Sequence, residues 1–287
     1  MIIKFLTVCT FVFSLVGCSY SESETDQANR LAKVYKIEIK AGDPTLFYPQ
    51  GFAKHDAQLL NVKLTKTSLA EASETLDGIE DALAIYPQGF VASVIDAIYI
   101  SGPIFIEGAE AGGTYGTKWI ILSNISKWNG TQANYENALH GVHHEMSSLI
   151  FNHSSFAQFA WQSLLAKGWK PAPSNYNALS RDNDLPPDYE AGFLSEYGKT
   201  SMGNDFNVYA EFAFAEPERL KQLAKKHPVI AKKLSVFISA YSSFSSKFEN
   251  DFHTYFTQTG LNDVAIKPKE VEMMLNIDVS GVNPQLQ

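Results

Sequence analysis

Four of the seven histidines fall within fourteen residues: His140, His143, His144 and His153. Glu145 directly follows His144, so imidazoles and a carboxylate share one short segment. That combination suits a zinc centre, where imidazoles bind the ion and a nearby carboxylate takes a proton from metal-bound water. The segment His144-Glu145-Met146-Ser147-Ser148 follows the H-E-x-x-H spacing, in which histidines four apart share one helix face. Its fifth position, however, is Ser148, and a neutral hydroxyl is a poor zinc ligand beside an imidazole. His140 and His144 are also four apart and make a sound pair one turn earlier. In that arrangement Glu145 lies one turn beyond the usual place of the general base. The inverted order H-x-x-E-H fails because His143 takes the place of its Glu, and His153 reaches back only across a bend. Both cysteines, Cys9 and Cys18, lie in the first eighteen residues, so any metal in the body must be held by His, Asp or Glu.

A helix has to carry this cluster. From about Gln132 the chain reads as helical through Phe159, with a break near His153. Upstream, residues 34–40 alternate apolar and charged residues as a half-buried strand does. Ser68 with Glu71 matches a capping box and opens a helical stretch to about Ala84, with Leu69, Ala72, Leu76, Ile79 and Leu83 at helical spacing. Residues 94–100, 103–107 and 118–123 read as strands, the last preceded by a turn at Gly112-Gly113. Downstream, residues 168–192 are rich in turn formers. Asn204 or Asp205 is expected to cap a helix to about Ala215, and Pro217 to begin another that ends before His227-Pro228. A last long helix is expected from Pro228 to about Phe256, with Ile230, Leu234, Phe237, Ile238 and Tyr241 on one side. Strands in the first half and helices in the second make an α+β fold. It forms one domain over residues 33–287, with room for a sub-boundary near residue 125.

The 287 residues are 45% hydrophobic and 19% charged, which excludes a disordered or coiled-coil chain. A net charge of −8 without any basic run excludes a general attraction for nucleic acid. Residues 1–18 hold one lysine and an apolar stretch from Phe5 to Val16, too short for a permanent span and suited to secretion. The ending Leu15-Val16-Gly17-Cys18 resembles the bacterial lipobox. That resemblance implies a signal peptide over 1–17, acylation of Cys18 and anchoring in a lipid bilayer. An ordinary signal peptide with an incidental cysteine is the plainer alternative. Residues 18–32, polar and acidic at their start, are expected to form a flexible tether. Ser19 after the cysteine resembles lipoproteins sent to the outer membrane, which sets the expected location in the cell envelope.

Three further segments extend a resemblance from about Leu76 to Tyr241. These are Gly112-Gly113-Thr114-Tyr115 leading into Trp119-Ile120-Ile121-Leu122, then Gly192-Phe193-Leu194-Ser195-Glu196-Tyr197, then Asn204 to Glu211 ending in Tyr209-Ala210-Glu211. Together with the histidine segment they resemble the substrate-import-associated zinc metallohydrolase lipoproteins, zincins that share features with the protease domain of anthrax lethal factor. The resemblance implies a zincin-like metallopeptidase domain with zinc as cofactor and a peptide or protein as substrate. It matches His144 to the first zinc ligand, Glu211 to the third, Glu145 to the catalytic base and Tyr197 to the phenol that stabilises the oxyanion. Ser148 departs from the pattern, leaving His140 as the nearby imidazole of the candidate metal set. Glu211 can equally be a helix-surface carboxylate and Tyr197 a packed aromatic. Two readings stay open: a zinc peptidase with a substitute ligand, and a non-catalytic protein of the same fold that binds a peptide, a glycan or an import partner. In the second, Trp169, Tyr176 and Tyr189 are candidates to line a cleft.

Overall fold

Near-continuous apolar runs such as Ala97-Ile98-Tyr99-Ile100 and Trp119-Ile120-Ile121-Leu122 leave no polar face for water, so they belong inside a sheet covered on both sides. The computed structural model describes residues 22–44, 62–124, 132–171 and 187–266, and these two runs are its central strands. The elements are α1 (Glu24–Tyr35), β1 (Glu38–Ala41), β2 (Lys63–Leu64), a 3-10 turn (Leu69–Glu71), α2 (Ser73–Ala84), α3 (Phe90–Val94), β3 (Ala97–Ser101) and β4 (Ile104–Ile106). There follow β5 (Ala109–Ala111), β6 (Gly113–Tyr115), β7 (Trp119–Ser123), α4 (Gln132–His153) and α5 (Ser155–Ser163). A 3-10 turn (Tyr197–Thr200) then leads into α6 (Met202–Ala215), α7 (Pro217–Lys226), α8 (Pro228–Ser243) and α9 (Glu249–Gln258).

The main sheet has the order β1-β3-β7-β6. Its first three strands are parallel, with Ile98 opposite Ile39 and Ile120, while β6 runs antiparallel to β7 and forms an edge. A small antiparallel sheet, β2-β4-β5, lies beside it. The α+β expectation holds, with every described strand before residue 124 and α4 to α9 after it.

Helix α4 packs on α2, on β6 and β7, and on α6. Two glycines permit this. A Cβ at Gly78 would strike the Tyr135 carbonyl, and one at Gly141 would lie 2.9 Å from a Leu122 methyl. One apolar core runs from Ala28 to Leu261, with Trp161, Tyr209, Tyr241 and Phe237 fully buried.

Four expectations need correction. The tether does not extend through residue 32: from Glu24 the chain is helix α1, because Ala28 and Leu31 fall on one face and bury in the core. Its acidic residues lie in the first turn, where the helix dipole favours them, and Ser23 caps the end by accepting from the Asp26 N–H. The strand expected at residues 34–40 is confined to Glu38–Ala41, since Lys36 ends α1 in the left-handed region at φ 58°. Helix α6 is capped by Ser201, which accepts from the Asn204 N–H at 2.9 Å, and Asp205 instead points into the interior.

The long last helix is two, α8 and α9. The break between them lets Phe244, Phe248 and Phe252 surround Phe90, with ring centroids 4.7–5.7 Å away. The break expected near His153 is present, and the Ser68–Glu71 capping box forms around the 3-10 turn ahead of α2. Cys18 and the apolar segment before it lie outside the described residues, as does Tyr176. No described helix is long and apolar enough to cross a membrane.

Candidate functional site

Helical periodicity divides the histidine segment into two faces. His140, Gly141, His144, Glu145 and Ser148 line a cleft of roughly 520 Å³, whereas His143 and Ser147 are fully buried in the core. The cleft is walled by β5 and β6 on one side and by residues 194–197 and α6 on the other, with Arg219 among its lining residues. Asn137 fixes α4 beneath the sheet edge, donating to the carbonyls of Gly112 and Ser123 at 3.1 and 3.0 Å. Gly113 is needed here because a Cβ would come 2.9 Å from the Ile121 carbonyl oxygen, and 3.0 Å from Glu145 Oε1.

Antiparallel helices α4 and α6 face each other through two polar rungs. In the first, His144 Nδ1 donates to Glu211 Oε1 at 2.6 Å, while His140 Nδ1 stands 3.9 Å from Glu211 Oε2. In the second, one turn on, Asn207 Nδ2 donates to Ser148 Oγ at 2.6 Å. The Tyr197 ring lies over the first rung, 5.7 Å from the His144 ring. Every residue assigned to the site from the sequence (His140, His144, Glu145, Tyr197 and Glu211) therefore lines this one cleft. Asn207 was not legible as a site residue; its only signal was its place four residues before Glu211, matching Ser148 four after His144.

The zinc that the resemblance implies does not fit these residues. At the position of the second imidazole stand a hydroxyl and an amide, neutral groups bonded to each other through Asn207 Nδ2 and poor ligands for zinc. Among the described residues, no set of three His, Asp, Glu or Cys side chains is arranged to hold a metal ion. His153 turns away as well, its Nδ1 donating to the Leu149 carbonyl at 2.7 Å.

Electrostatics follow burial. Glu145 is only 7% exposed, and burial pushes its carboxyl up to about 7; Glu211 pushes the same way and His144 opposes it. His143 is driven down to about 3, chiefly by burial, and is thus a neutral core residue whose Nδ1 shares a hydrogen bond of 2.8 Å with Tyr86 OH.

Behind the far wall sits a buried ion pair. Lys233 Nζ donates to Asp205 Oδ2 at 2.6 Å and to the Gly192 carbonyl at 3.0 Å, and it lies 4.1 Å from the Phe193 ring centroid. Trp161 Nε1 and Tyr209 OH complete the support, donating to Asp205 and to Gly192 respectively. This pair holds the start of the segment that carries Tyr197. Trp169 stacks on Phe193 and Tyr189 packs against His227, so neither of these loop aromatics lines the cleft.

The arrangement offers main-chain groups on an edge strand, a buried carboxyl that exchanges a proton near neutrality, and an imidazole–carboxylate pair. Comparison of the chain with family models, with curated proteins and with solved structures finds no match.

Proposed function

We propose that this chain is a zincin-like lipoprotein of the cell envelope, anchored in the outer membrane through acyl groups on Cys18. In this reading its cleft binds an extended peptide and does not hydrolyse it through a metal. The Ser148–Asn207 hydrogen bond carries the proposal. It puts a neutral hydroxyl and amide where a metallopeptidase places its second imidazole, and neither group is a strong zinc ligand. A peptide is favoured over a glycan because β6, the edge of the main sheet, lies along the cleft and can pair with a further strand.

The test is metal content by mass spectrometry on the full chain in detergent after zinc loading, beside His144→Ala and Glu211→Ala. The expected result is no zinc above background in any of the three. One zinc per chain, lost in both variants, would overturn the proposal. It would identify a hydrolase built on His140, His144 and Glu211 with Glu145 as the candidate base.

A further inference from the structure

The cleft holds four carboxylates from four places in the chain: Glu110 on β5, Glu145 on α4, Glu196 ahead of the 3-10 turn and Glu211 on α6. Four basic side chains stand near them. His144 is bonded to Glu211, His140 stands 3.9 Å from that same carboxylate, and Arg219 is paired with Glu216 at 2.8 Å and stacked 4.8 Å from the Phe212 ring. Lys199, from the 3-10 turn, holds Glu196 at 2.6 Å. Glu145 is different: it is more than nine-tenths buried, it faces the cleft, and no described residue gives it a hydrogen bond or ion pair. Glu211 is near enough for its charge to oppose that of Glu145. A buried carboxyl without a partner is costly to ionise, and a cation reaching it from a ligand offsets that cost.

The position of this carboxylate says where the cation would come from. Glu145 Oε1 lies 3.0 Å from where a Cβ on Gly113 would stand, against the first residue of β6 in the cleft's strand wall. A strand paired to β6 sends alternate side chains toward the cleft floor. We infer that the cleft selects a peptide bearing a lysine or arginine, whose cationic head enters beside Glu145 and within reach of Glu211. This rests on the peptide-binding reading above.

The test uses capped alanine–serine peptides that differ only at the central residue, which is lysine, norleucine or glutamate. Binding to the full chain in detergent is followed by calorimetry. The lysine peptide should bind about tenfold tighter than the norleucine peptide, with the glutamate peptide weakest. In Glu145→Gln the lysine-to-norleucine ratio should fall to about one, and Glu211→Gln, on the other helix, should reduce it in part. Equal affinity for lysine and norleucine peptides would overturn this inference and leave peptide binding intact. A tenfold ratio that survives Glu145→Gln would also overturn it. Failure of all three peptides to bind would overturn both readings.

Discussion

At the residue scale, one hydrogen bond decides how the histidine cluster is to be understood. Ser148 on its own reads as a deletion, an imidazole lost from a metal site. Paired with Asn207 at 2.6 Å it is half of a replacement. Asn207 is 2% exposed and Ser148 4%, and the amide sits 2.6 Å from Ser148 Oγ, so an imidazole at position 148 must push the amide aside. Ser148→His alone should therefore gain no zinc and lose stability by overpacking, by roughly 1–3 kcal/mol. Ser148→His combined with Asn207→Ala should bind about one zinc per chain, read by mass spectrometry of the loaded protein. A double variant that stays metal-free would show that more than the second rung separates this cleft from a metal centre.

Glu145 allows a second test at the same scale. Its folded carboxyl titrates near 7 against an ordinary 4.5, so the fold keeps a proton that the unfolded chain has released. The stability it contributes is present below about pH 4.5 and is lost as the pH rises through 7. Relative to the parent, Glu145→Gln should gain on the order of 2–3 kcal/mol between pH 4.5 and 8 in denaturant titrations. A difference that stays flat across that range would show that the carboxyl is not held in its acid form.

At the element scale, what was legible in the sequence is what local pattern encodes. The site helix, its break at His153 and the Pro217 start of α7 follow from spacing and capping within a few residues. Glu211 was reached through its motif, and it lines the cleft. The rest depends on partners far along the chain. Asn207 meets Ser148 across 59 positions, and Lys233 meets Asp205 across 28. Nothing near either residue announces the pairing, and a lysine on an apolar helix face reads as a solvent-facing charge until the fold closes around it. Helix α1 was missed for a related reason, since its polar residues cover the outside and only Ala28 and Leu31 face inward.

The Lys233–Asp205 pair links α8 to α6 and, through the Gly192 carbonyl, to the cleft wall. Both side chains are fully buried, so removing one partner strands the other's charge. Lys233→Met should cost about 3–5 kcal/mol by chemical denaturation, whereas Lys233→Met with Asp205→Leu should recover most of that loss. A single variant as stable as the parent would mean that the pair carries no structural weight.

For the whole molecule, the presence of α1 in the core changes how the proposed anchor would work. With Ser23 capping α1, only five peptide steps separate Cys18 from the folded body, 23 − 18. Fully extended, they reach at most about 18 Å, so a lipid at Cys18 would hold the cleft-bearing domain close to the bilayer instead of on a long leash. Anchor and fold then meet within a few residues, yet they should separate cleanly under mutation. Cys18→Ser should abolish incorporation of labelled palmitate and release the protein from the membrane fraction, with the melting temperature of the domain unchanged. Leu31→Asp, thirteen residues on, should leave palmitate incorporation intact and destabilise the fold by several kcal/mol, because it places a charge at a core position only 1% exposed. If Leu31→Asp melts like the parent, α1 is only an accessory to the body, and the spacer between membrane and cleft is longer than the core packing implies.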